Sequence, residues 1–155
     1  MSRSSEVGMV AHDPTLRTAL VLPLALIRHV EMPTLPLARA QTDWLGAQIQ
    51  RGARGLLLQA DIPWPPPPRA VLGHFRRKAI TSPGLETITL VIPSVDSLIP
   101  TLVASVAQQV MSLGQLAGGV ATFTKLEAAL DWHESKLGLT IDRPRVGGTL
   151  DTLGT

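Results

Sequence analysis

Apolar residues follow two different spacings along this chain, and each spacing predicts one kind of secondary structure. Short apolar runs rich in branched residues are typical of strands. They occupy residues 16–32, 55–61, 87–92 and 120–124. Pro23 divides the first run, which therefore predicts either an edge strand or two strands with a break between them.

Between these runs, apolar residues recur at three- and four-residue steps, as on one face of a helix. This spacing predicts helices over residues 37–49, 71–79, 95–113 and 125–137. Thr34 suits the N-cap of the first helix because its hydroxyl can accept a hydrogen bond from an unpaired backbone amide. Gly138 suits the end of the last helix.

Strands that alternate with helices of this length predict a mostly parallel sheet with right-handed crossovers. We therefore expect a single α/β domain with four or five strands over residues 14–138. Residues 1–13 are interpreted as a flexible leader. Residues 139–155 contain several glycines and a proline and no clear period, so they are interpreted as a flexible C-terminal tail.

The predicted helix over residues 96–113 has an apolar face and a second face without charge. No charged residue occurs between Asp96 and Lys125. Such a face suits close packing against another helix, either from the same chain or from a twofold-related copy. We expect a homo-oligomer with this helix at its interface. The alternatives are that another part of the same chain covers the neutral face, or that the face is exposed to solvent. The interface candidates are Ser97, Thr101, Ala104, Ser105, Gln108 and Ser112.

Composition limits the classes of function. The chain has 155 residues, 45% of them hydrophobic and 17% charged, which suits a globular domain with a substantial core. Its mean hydropathy of +0.22 indicates apolar surface that a partner covers. The absence of cysteine excludes disulfides and thiolate chemistry and favours a cytoplasmic protein. A net charge of +2 does not predict a nucleic-acid partner, and no segment suits a membrane span.

Residues that could carry chemistry are scattered. The four histidines form no HxxxH or HxH pair, so no metal site is predicted. His133 lies on the apolar face of the predicted last helix. It is interpreted either as a core histidine with a hydrogen-bond partner or as a ligand-binding or pH-sensing group. Asp61 and Asp96 follow strands, where α/β sheets bind ligands; capping and turn roles also suit them. No nucleophile elbow or phosphate loop is present. We expect no enzyme activity and no cofactor, and an enzyme using these three residues is the least favoured interpretation.

A run of four prolines, Pro65 to Pro68, predicts a rigid polyproline II segment. Trp64 precedes it, and an aromatic side chain on such a segment either packs over the core or anchors a partner. We expect this turn to contact a protein partner, with four candidate residues: Asp61, Trp64, Pro66 and Arg69.

Residues 16–137 resemble the STAS/SpoIIAA-like proteins of the SEC14-like superfamily. The resemblance rests on the runs ALVLPLALIRHV, GLLLQADIPWPPP, TITLVIPS and VATFTKLEAALDWHESKL in this order. A bacterial subgroup has the same aspartate-ended strand before a proline-containing turn, and it closes with a phenylalanine strand and an E-A-L-x-W helix. That closing signature is carried here by Phe123, Glu127, Ala128, Ala129, Leu130 and Trp132.

The resemblance implies a helix-covered sheet with a binding role. In the anti-sigma antagonists of this family, a serine in a D-S-x-G-L turn is phosphorylated. The matching turn after Asp61 reads IPWPPPPRAVLG and contains no serine or threonine, so this regulation is not carried over. His133 also departs from the bacterial subgroup, in which the residue after the tryptophan is usually aliphatic. We expect a protein-interaction module; because SpoIIAA-like sheets resemble lipid-transfer folds, the alternative is a small apolar ligand or lipid bound between helix 96–113 and the sheet.

Overall fold

A computed structural model describes residues 11–13, 15–31, 33–61, 70, 73–74, 77, 84–93 and 119–154. Within them, six strands form one sheet in the order of their sequence. The first strand pairs antiparallel with the second, and the second pairs antiparallel with the third. The third, fourth, fifth and sixth strands run parallel to one another. The strands are β1 (Ala11–Asp13), β2 (Thr18–Val21), β3 (Leu24–His29), β4 (Gly55–Ala60), β5 (Thr87–Val91) and β6 (Gly119–Phe123).

Three helices have both ends within the described residues: α1 (Leu35–Gln50), α2 (Leu126–Leu137) and α3 (Arg143–Leu153). The Thr34 hydroxyl accepts a hydrogen bond from the amide of Leu37 at 3.3 Å, which confirms the predicted N-cap of α1. Gly138 ends α2 in the left-handed conformation with φ 67°, as its sequence position predicted.

Strand alternation divides the core between the two faces of the sheet. One face carries Leu24, Leu26 and Leu57, which pack against α2 and α3. The opposite face carries Ala25, Ile27 and Leu56, which pack with Leu45 of α1 and neighbouring apolar residues. The prediction of a single α/β domain with a mostly parallel sheet is confirmed. None of the helices in these ranges is long and apolar enough to cross a membrane.

The C-terminal segment corrects a prediction. Residues 143–153 form helix α3 and are not a flexible tail, because Val146, Leu150 and Leu153 are buried against the sheet. The side chain of Asp142 caps the helix by accepting the amide of Arg145 at 3.2 Å. At the other end of the sequence, Ala11–Asp13 of the predicted leader form the edge strand β1, which raises the strand count to six.

Candidate functional site

His133 lies in the core, between α2 and the sheet. Its side chain is fully buried, and both ring nitrogens are hydrogen-bonded to strand β5. Nδ1 lies 2.8 Å from the hydroxyl of Thr87, and Nε2 lies 2.7 Å from the hydroxyl of Thr89. Thr87 and Thr89 are two residues apart on one strand, so both hydroxyls point to the same face and hold the imidazole from two sides.

The backbone of β4 makes room for this imidazole at Gly55. A Cβ atom there would lie 2.6 Å from the Thr87 hydroxyl, 2.7 Å from a methyl group of Leu24 and 3.1 Å from Nδ1 of His133. Any side chain at residue 55 would therefore displace the threonine or the histidine. Gly55 of β4, Thr87 of β5 and His133 of α2 are far apart in the sequence, and together they form one polar cluster inside an apolar core.

Burial lowers the pKa of His133 to about 4, because the charged imidazolium would be removed from water. The ring is therefore neutral near neutral pH, with one nitrogen donating to a hydroxyl and the other accepting. This geometry favours the core-histidine interpretation over ligand binding, since no ring nitrogen remains free. A pH-sensing role of His133 stays a prediction.

Asp61 extends β4 by one residue and points to the same face as α3. Its carboxylate accepts a hydrogen bond from Nε of Arg28 at 2.9 Å, and its amide donates to the carbonyl of His29 at 2.9 Å. Arg28 also donates to the carbonyl oxygen of Leu150 at 2.7 Å. The Asp61 side chain is thus tied to a neighbouring strand and, through Arg28, to the C-terminal helix.

The C-terminal end of α3 is capped by arginines from elsewhere in the sequence. The last turn of α3 contains no basic residue. Instead, Arg28 donates to Leu150 and Arg17 donates to the carbonyl of Leu153 at 2.6 Å. Both guanidinium groups complement the negative end of the helix dipole. Arg17 adopts a left-handed backbone with φ 52°, which is uncommon for a residue other than glycine.

The N-terminal end of α3 is fixed to α2 by a group of opposite charges. Arg143 is hydrogen-bonded to carboxylates of Glu127, Asp131 and Glu134 on α2. Glu134 also accepts the amide of Ile141 at 2.8 Å, and that bond together with Arg143 lowers the pKa of its carboxyl. The three carboxylates therefore pair with the guanidinium group of Arg143, and these contacts hold the turn between α2 and α3.

His29 and His74 are hydrogen-bonded to side chains of α1. Nε2 of His29 lies 2.8 Å from Oε1 of Gln41, and burial lowers the pKa of His29. Nε2 of His74 lies 2.6 Å from the hydroxyl of Thr42, which places the His74 side chain against α1. The described residues contain no group of three or more acidic or histidine side chains that could hold a metal ion.

Most sequence-predicted site residues fall outside the described ranges. These are Asp96, the six interface candidates Ser97, Thr101, Ala104, Ser105, Gln108 and Ser112, and the turn candidates Trp64, Pro66 and Arg69. The pocket predicted for an apolar ligand would have residues 96–113 as one wall, so it also lies outside the described ranges. Among the described candidates, His133 and Asp61 lie on the same face of the sheet but have separate hydrogen-bond partners.

The sequence interpretation missed Arg17 and Arg28 as capping residues and the threonine pair around His133. The apolar spacing of Val146, Leu150 and Leu153 was the available signal for α3, and alternation along β5 was the signal that Thr87 and Thr89 share a face. No protein-family model, no curated protein and no solved structure matches this chain.

Proposed function

We propose that the protein is a non-enzymatic interaction module of STAS/SpoIIAA-like type that self-associates through the helix predicted over residues 96–113. One observation carries this proposal: the chain from Ser97 to Thr124 has no charged residue, and this stretch includes β6, the outermost strand of the described sheet. Solvated surfaces of globular domains carry interspersed charges. A second copy with the same neutral surface would cover this one without leaving a charge unpaired.

The turn that begins at Asp61 is the proposed contact for a different protein. Its first residue is fixed by Arg28 and by the carbonyl of His29, so the turn leaves the sheet from a rigid base. The four prolines that follow restrict the backbone further. A segment that is ordered before it binds loses less conformational entropy on binding, which favours affinity.

Self-association is tested by size-exclusion chromatography with light scattering over about a hundredfold range of protein concentration. Wild type is compared with Ser105→Arg, which adds a charge to the neutral face, and with Ser135→Arg. Ser135 is exposed on α2, so the same substitution there is the matched control. We expect wild type and Ser135→Arg to associate as concentration rises, and Ser105→Arg to remain monomeric. A wild type that stays monomeric over the whole range would reject the proposal.

A further inference from the structure

Among the described residues, strand β6 has one edge without hydrogen bonds. Its other edge pairs with β5, where the carbonyl of Phe123 accepts the amide of Ile92 at 2.9 Å. In a parallel strand, alternate residues direct their backbone groups to opposite sides. Gly119, Ala121 and Phe123 therefore face β5, whereas Val120 and Thr122 face outward. Within the described ranges, the outward backbone groups of these two residues have no partner.

The sequence of β6 lacks the features that protect natural edge strands. Such strands carry lysine, proline, a bulge or an inward-pointing charge, which prevent pairing with another chain. Residues Gly119–Phe123 read GVATF, with three residues of high strand propensity and none of these protections. All five residues are partly accessible to solvent. An unprotected edge of this kind favours pairing with another strand.

We infer that β6 pairs with β6 of a second copy, antiparallel and about a twofold axis at Ala121, so that two sheets become one. This inference rests on the proposed self-association and adds β6 pairing as a second contact of the same dimer, beside the helix predicted over residues 96–113. Only this register places both outward residues opposite outward residues: Val120 faces Thr122 of the second copy, and Thr122 faces its Val120. Each such pair exchanges two N–H···O bonds.

The same register matches side chains across the pair. Gly119 lies opposite Phe123 of the second copy, and a cross-strand aromatic ring covers a glycine that has no side chain to pack. No charge faces another charge, because the strand contains none. A twofold axis perpendicular to the sheet keeps α2 of both copies on one side. Trp132 of α2, whose ring lies 6.3 Å from that of Phe123, is then close to the axis.

Amide hydrogen exchange of the full chain, measured by NMR at low and high protein concentration, tests the pairing. Ala121 and Phe123 are internal controls because their amides already bind β5. We expect the Val120 and Thr122 amides to exchange roughly tenfold or more slowly in the associated protein, and the two controls to be protected at both concentrations. Unchanged exchange at Val120 and Thr122 in fully associated protein would overturn the inference.

Thr122→Pro removes one outward N–H and leaves the ladder to β5 intact, and proline is tolerated at such edge positions. Thr122→Val is the matched control, since it keeps the N–H and the branched shape. We expect Thr122→Pro to be monomeric and Thr122→Val to associate like wild type. If Thr122→Pro associates while Ser105→Arg does not, edge pairing is wrong and the proposed function stands; a monomeric wild type rejects both. Should the proline variant not fold, the exchange measurement decides.

Discussion

His133 makes the stability of the fold depend on pH, because its imidazole is neutral in the folded core and free to bind a proton in the unfolded chain. Its folded pKa is about 4, against an ordinary value of 6.5. Well above pH 6.5 the ring is neutral in both states, and the contribution of His133 to the free energy of unfolding is fully present. As the pH falls below that value, only the unfolded chain takes up the proton, so stability is lost until the folded pKa is reached.

The magnitude follows from the two pKa values. The complete difference corresponds to about 3 kcal/mol of unfolding free energy, and about 2 kcal/mol of it is lost from about pH 7 to about pH 5. Over that range the hydrogen bonds to Thr87 and Thr89 persist in the folded protein, because the folded imidazole stays neutral.

Urea unfolding across this pH range, on wild type and His133→Gln, measures the effect. Glutamine keeps a donor and an acceptor but does not titrate. His29, whose pKa is also lowered by burial, and the Glu86 carboxyl, whose pKa is lowered by hydrogen bonding to Arg54, contribute equally to both proteins and cancel in the difference. We expect the advantage of wild type over the variant to shrink by about 2 kcal/mol from neutral to acidic pH. A pH-independent difference would refute this reasoning.

Three further substitutions test the packing by urea unfolding. Gly55→Ala should cost about 1–3 kcal/mol because its Cβ would overlap Thr87; an unchanged midpoint would contradict this contact. Leu150→Ala, at a side chain 1% exposed, should cost about 2–5 kcal/mol if α3 is part of the core, whereas a flexible tail would show no loss. Arg28→Lys should cost about 1 kcal/mol, because one ammonium cannot reproduce the guanidinium contacts with Asp61 and Leu150; unfolding at the wild-type midpoint would show that those contacts contribute nothing.

The sequence predicted the elements whose local signals agree with one another. For α1, the Thr34 cap and the apolar period both pointed to a helix, and the helix is there. For β4 and β5, short apolar runs predicted strands of a mostly parallel sheet, and the two strands are parallel neighbours. Helix α3 was missed because Gly147 and Gly148 weaken its propensity by roughly 2 kcal/mol in total. The burial of Leu150 and its neighbours offsets that loss, and burial is a property of the fold, not of the segment.

Contacts between distant residues were beyond prediction for a different reason. The bonds of His133 to Thr87 and Thr89 join residues separated by 46 and 44 positions. Periodicity shows that His133 points to a core and that the threonines share a face, but it does not show which helix covers which strand. That choice depends on the order of the strands and on the space left by Gly55.

The arginine caps of α3 have a consequence for how the chain folds during synthesis. Arg28 binds a carbonyl 122 positions later in the sequence, and Arg17 binds one 136 positions later. At about 5–20 residues per second, roughly 6–30 seconds separate the synthesis of the two partners. During that interval the apolar side of the β2–β3 hairpin has no α3 to cover it. The nascent chain therefore exposes this surface to chaperones, and its folding is completed only after synthesis has reached Leu153.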